Sequence, residues 1–91
     1  AQLPIPGLPQ PRPLATIDLP DWGTSAAFSP DGALLAIGTY EKVMVVNVES
    51  HKTVREFKVQ SGYVRGLDWS PDGRIIATGC FGAVQLWNAE D

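Results

Sequence analysis

The chain holds one cysteine and one histidine in 91 residues, and each scarcity narrows what the protein is expected to be. Cys80 has no partner for a disulfide within the chain, which tilts the expected setting toward a reducing, cytoplasmic compartment. His51 has no second histidine and no nearby cysteine, and zinc takes three or four protein ligands, so no metal site is expected and His51 reads as a surface-loop residue. Lys and Arg number 7 against 10 Asp and Glu, a net charge of -3, without the basic stripe that nucleic-acid binding requires. No apolar run approaches the roughly 20 residues that span a bilayer, so no membrane partner is expected. The opening Ala1-Gln2-Leu3-Pro4 has neither the charged nor the apolar region of a secretory signal. Helical periodicity is missing throughout. So are a Ser-His-Asp arrangement, a glycine loop for phosphate and a placed pair of carboxylates. No catalytic residue and no cofactor is therefore expected.

What is present begins with proline. Five of the eight prolines fall in residues 1–13. Proline fixes φ and removes the backbone donor, so this stretch reads as an extended, polyproline-like arm rather than a helix or central strand. Leu3, Ile5, Leu8 and Leu14 supply apolar surface along it.

The remainder, residues 14–91, repeats itself. Ser29-Pro30-Asp31-Gly32 returns 41 residues later as Ser70-Pro71-Asp72-Gly73. At the same offset Ala36 matches Ala77, Gly38 matches Gly79, Val43 matches Val84 and Asn47 matches Asn88. Trp22 pairs with Tyr63, Phe28 with Trp69, and Tyr40 with Phe81. Self-similarity at this spacing marks an architecture built from one supersecondary unit, here at about 14–50 and 51–91. Each unit reads as β. In Ser-Pro-Asp-Gly the proline presets φ and the glycine supplies positive φ for a hairpin turn. The flanking runs, such as Val43 to Val48 and Val84 to Trp87, are short, β-branched and weakly alternating, as strands buried on both faces are.

The second unit, Tyr63-Val64-Arg65-Gly66-Leu67-Asp68-Trp69-Ser70-Pro71-Asp72-Gly73 through Val84-Gln85-Leu86-Trp87-Asn88, resembles a WD repeat, and the resemblance covers about residues 14–91. It implies an all-β fold of two four-stranded β-propeller blades. The usual Trp-Asp ending stands as Trp87-Asn88 and Val46-Asn47, and Val59-Gln60 replaces the Gly-His pair. Of the family's buried hydrogen-bond network, only Trp87 and Thr78 remain available.

Two blades bury one mutual interface and leave two apolar faces bare, whereas propellers close with typically 4–8 blades. A ring of six to eight blades is therefore expected, completed by copies of the same chain (a trimer or tetramer) or by another propeller chain. The family's stagger places an outer strand at about 14–18, three strands across 23–48, a second outer strand at 52–59 and three more across 63–88. The chain then starts on the fourth strand of one blade and ends on the third of another.

Function is read from the rim. Trp22, Tyr40, Tyr63, Arg65 and Phe81 fall in connections that open on one rim, with Asp21 and Lys42 nearby, and form a candidate binding belt. Phe28, Trp69 and Trp87 are expected in the core, with Cys80 as a small core residue. The favoured function is a non-enzymatic scaffold that binds a protein or peptide. The alternatives are a carbohydrate-binding propeller with Trp22 and Tyr63 as stacking platforms, or a fragment or engineered half of a larger WD-repeat protein.

Overall fold

The computed structural model describes residues 7, 9 and 11–90, without the side chains of 60 and 61. The expected arm falls mostly outside the described residues; Pro11, Arg12 and Pro13 are exposed and lie in neither helix nor strand.

Among the described residues seven strands form two antiparallel sheets. The first sheet is ordered β1 (Ser25–Phe28), β2 (Leu34–Gly38), β3 (Tyr40–Asn47), β4 (Thr53–Tyr63). The second is ordered β5 (Gly66–Trp69), β6 (Ile75–Cys80), β7 (Ala83–Asn88). The outer strand of the first unit thus comes from the second repeat, as the stagger requires, and among the described residues the second sheet has three strands. β4 is longer than the expected 52–59. Register shifts opposite Tyr40 to Lys42 carry it through Gly62, at φ 76°, to Tyr63. Only Val64 and Arg65 then separate the two sheets.

Each Ser-Pro-Asp-Gly corner closes in the same way. Gly32 N–H donates to Ser29 O at 2.9 Å and Gly73 N–H to Ser70 O at 2.9 Å, with both glycines at φ 76°. The hydroxyls of Ser29 and Ser70 accept from the N–H groups of Leu34 and Ile75, each at 3.0 Å. The carboxylates of Asp31 and Asp72 accept from Ala33 N–H and Arg74 N–H. The Ala33 amide and the Ser29 hydroxyl hold the Asp31 carboxyl below its ordinary value. The Ser70 hydroxyl and the Arg74 amide do the same for Asp72. Gly73→Val is expected to destabilise the fold by more than about 1 kcal/mol, since a β-branched residue is strained at positive φ. Urea denaturation reads this, and an unchanged midpoint would count against the corner.

The core lies between the sheets. Register places Ala27, Ala36, Val43, Val45 and Phe57 on the face of the first sheet that meets Leu67, Trp69, Ile76 and Trp87 of the second. Trp69 donates its indole N–H to Ala27 O at 2.9 Å, and the Phe57 and Trp87 rings lie 4.6 Å apart. Trp87 also donates to the Thr78 hydroxyl at 2.9 Å, so the two remaining network members are joined. The guanidinium of Arg55 reaches Ala89 O and Glu90 O at 2.6 Å, tying the outer strand of one sheet to the end of the other. At the crossing, the Thr24 and Ser25 hydroxyls donate to Val64 O. A Cβ on Gly38 would stand 2.7 Å from the Val64 side chain, so only glycine fits that approach.

Three expectations change. Residues 14–18 form no strand, because an outer strand needs the free edge of a neighbouring sheet. Phe28 is 63% exposed, because no sheet stands against the face that carries it. The first sheet's far side is nevertheless not bare, since Ile37, Met44 and Val46 there are buried within the chain. The bare apolar face belongs to the second sheet, where Ile75, Val84 and Leu86 are exposed. Cys80 is half-buried against the core, and His51 is exposed in its connection at φ 64°.

Candidate rim site

Four of the five rim candidates come together at one end of the sheets. Tyr40 opens β3 and pairs in register with Tyr63 at the end of β4. Their rings meet edge to face, centroids 5.0 Å apart at 68°. On the other side of Tyr63 the Trp22 ring stacks at 6.3 Å and 23°. The result is a short ridge, Tyr40–Tyr63–Trp22, in which Trp22 remains largely exposed. Aromatic pairs in these geometries contribute roughly 0.5–1.5 kcal/mol beyond area burial, so the ridge is partly preformed.

Two hollows flank it. One of about 380 Å³ is lined by Trp22, Thr24, Tyr63 and Arg65. The other, about 350 Å³, is lined by Tyr40, Glu41, Lys42, Glu56, Phe57 and Lys58. The Lys42 ammonium sits 2.9 Å from the Glu56 carboxylate across the ladder. Both groups are well exposed, and such pairs contribute little to stability, so this hollow presents charges of both signs rather than a rigid lock. Arg65 donates its backbone N–H to Gly79 O at 2.8 Å, which fixes its main chain while its side chain faces the Trp22 hollow. Asp21 is exposed beside Trp22, and its carboxylate accepts from Trp22 N–H at 2.7 Å.

The Tyr40 corner is strained: Glu41 holds φ 56°, a conformation that glycine adopts freely. The repeat-equivalent residue is Gly82, at φ 85°. Phe81, the counterpart of Tyr40, is 87% exposed, and no ring contact to it is found among the described residues. It is the rim candidate that does not join the other four.

The turn residues gather at the opposite end. Ser29, Pro30, Asp31, Pro71, Asp72 and Gly73 line a hollow of about 510 Å³ between the two corners, with Trp69 at its base. From sequence these residues read as hairpin turns alone. The signal that they share a surface was their repetition in phase, which puts both corners on one side of two adjacent sheets.

With this geometry, the comparisons with known proteins agree. The family model described as the anaphase-promoting complex subunit 4 WD40 domain matches residues 26–91. The chain belongs to the WD40-repeat family, and its fold is that of β-propeller blades. Pre-mRNA-processing factor 19 of Oryza sativa subsp. japonica is 36% identical over 66 residues, which is 71% of this chain and 12% of the relative. The ciliary WD repeat-containing protein ctxp80 of Euplotoides octocarinatus is 31% identical over 70 residues, 76% of this chain and 10% of the relative. The chain thus spans a small part of the length of these relatives. Among solved structures, the β-propeller domain of Myceliophteria thermophila Cps50 (Swd1) superposes with a TM-score of 0.75 at 28% identity, covering 81% of this chain and 23% of that one. The RRP9 WD40 repeats, at 18% identity and a TM-score of 0.72, are alike in fold.

Proposed function

We propose that this chain is a non-enzymatic protein-interaction module, a pair of propeller blades that joins further blades in a closed ring and uses its rim to bind a protein or peptide. The observation that carries the ring is a contrast in burial between equivalent positions. Val43 and Val45 are 0% and 2% exposed under the second sheet. Their counterparts Val84 and Leu86 are 72% and 70% exposed. The outer face of the second sheet has the residues of a buried blade face and lacks the next blade. Completion by copies of this chain gives a trimer of six blades or a tetramer of eight; completion by another propeller chain satisfies the same face. WD40 kinship and the preformed aromatic ridge support the scaffold role.

A sugar stacking on Trp22 and Tyr63 has less support, because those rings already stack on each other. A glycan array separates the two. Analytical ultracentrifugation at micromolar concentration tests the ring: a discrete trimer, tetramer or mixed-chain complex is expected. A compact, cooperatively melting monomer of 9.8 kDa would overturn it.

A further inference from the structure

We infer that Phe81 is one half of an aromatic pair whose other half is Trp22 of a second copy of this chain. The inference rests on the self-assembling form of the ring. The template lies inside the chain. Tyr40, on the turn between the second and third strands, packs edge-on against Tyr63, the last residue of the outer strand. Moving one repeat along replaces Tyr40 by Phe81 and places at the Tyr63 position whatever ends the outer strand of the second sheet. The residue of this chain equivalent to Tyr63 is Trp22.

The corner backbone supports the match. Glu41 and Gly82, each following the ring-bearing residue, both hold positive φ, at 56° and 85°. Phe81 therefore leaves its corner as Tyr40 does, yet it makes no ring contact among the described residues and is 87% exposed. Trp22 of the same chain does not reach it. That residue leads into β1 and stacks on Tyr63, while β7 is the last strand of the other sheet, and no backbone hydrogen bond joins residues 11–20 to β7.

The residues ahead of Trp22 fit the open edge. Set one residue out of the 41-residue repeat, which turns apolar residues in place of Thr16 and Asp18 toward the covered face, Ile17 and Leu19 take the places of Phe57 and Val59. Phe57 pairs with Val43, and Ile17 then comes opposite Val84. Arg12, in a stretch without a single acid from 1 to 13, comes level with the end of β7 beside Glu90. The interface also continues one already formed, because the Tyr40–Tyr63–Trp22 ridge simply extends to Phe81 across the boundary. Four rings then stand in one run that no single chain contains, and the rim site is incomplete without the second copy.

Sedimentation equilibrium of the full chain and its variants tests this. Phe81→Ala and Trp22→Ala should each weaken self-association. Together they should weaken it by roughly three- to ten-fold less than the product of the two single losses, the mark of direct contact. Phe81 makes no ring contact among the described residues of the single chain, so Phe81→Ala should leave its circular dichroism unchanged, whereas Trp22→Ala also loses the stack on Tyr63 and should alter only the aromatic signal. Phe81→Tyr, which copies Tyr40, should keep the parent's association. Losses that multiply independently, or a Phe81→Ala chain that associates like the parent, would overturn the pair while leaving the ring intact. A full chain that stays monomeric would overturn the self-assembled ring and the pair with it.

Discussion

Deletion of residues 1–18 is expected to turn a species of discrete mass into a polydisperse, aggregating one. β7 (Ala83–Asn88) is an edge strand of its sheet among the described residues, with Val84 and Leu86 exposed on it. An open apolar edge presents a row of free donors and acceptors and pairs indiscriminately. Residues 14–18 lie in no strand within their own chain, and in the proposed ring they would cover that edge in a neighbour. Pro13 and Pro20 bracket the segment, and proline is tolerated at sheet edges, where no ladder bond is lost. Size-exclusion chromatography with light scattering should show the change, and added peptide spanning 10–20 should restore part of the defined mass. If the shortened chain keeps the parent's mass and melting behaviour, the strand-exchange account fails and these residues are only a tail.

The second large effect concerns two side chains of equal size on opposite faces of the second sheet. Ile76 is fully buried between the sheets, so Ile76→Ala should cost about 2–5 kcal/mol under all conditions. Leu86 is open in the single chain, yet its counterpart Val45 is buried. In the assembled ring Leu86→Ala should cost a similar amount, and that cost should vanish on dilution to the monomer. Chemical denaturation across a hundred-fold range of concentration reads both. A Leu86→Ala chain that is as stable as the parent at every concentration would mean that no blade covers this face.

The fold was legible because sequence and backbone repeat in phase. Turns such as Ser29-Pro30-Asp31-Gly32 announce themselves by chemistry, and a second copy 41 residues on fixes their register. The surviving Trp87–Thr78 hydrogen bond was legible for the same reason: the two positions align with members of a known network. The end of β4 was harder to read, since Gln60-Ser61-Gly62 has no β-branched residue and a glycine at positive φ, and so reads as a loop. Only pairing across the sheet, Tyr40 with Tyr63, carries the strand through it. Phe28 was misplaced because its equivalence to Trp69 is real but incomplete. Trp69 has a sheet in front of it, and Phe28 would need a preceding blade. At the candidate site, sequence identified which aromatics share an end of the molecule. It could not separate the three that touch from Phe81, because contact depends on which strands are neighbours.

The passage between the sheets has a consequence for size. Two residues, Val64 and Arg65, join them. The Thr24 and Ser25 hydroxyls hold the Val64 carbonyl, and the missing side chain of Gly38 lets Val64 seat fully. The angle between one blade and the next is therefore held at this pinned crossing together with the core and the Trp69 and Arg55 contacts, not averaged over a flexible linker. In a closed ring that angle divides the full circle, so it also decides how many blades fit. A methyl group at Gly38 would act as a wedge there. Its effect would be felt less as lost stability than as altered curvature, and a change of a few degrees repeated around the ring is enough to leave it open or to admit one more member.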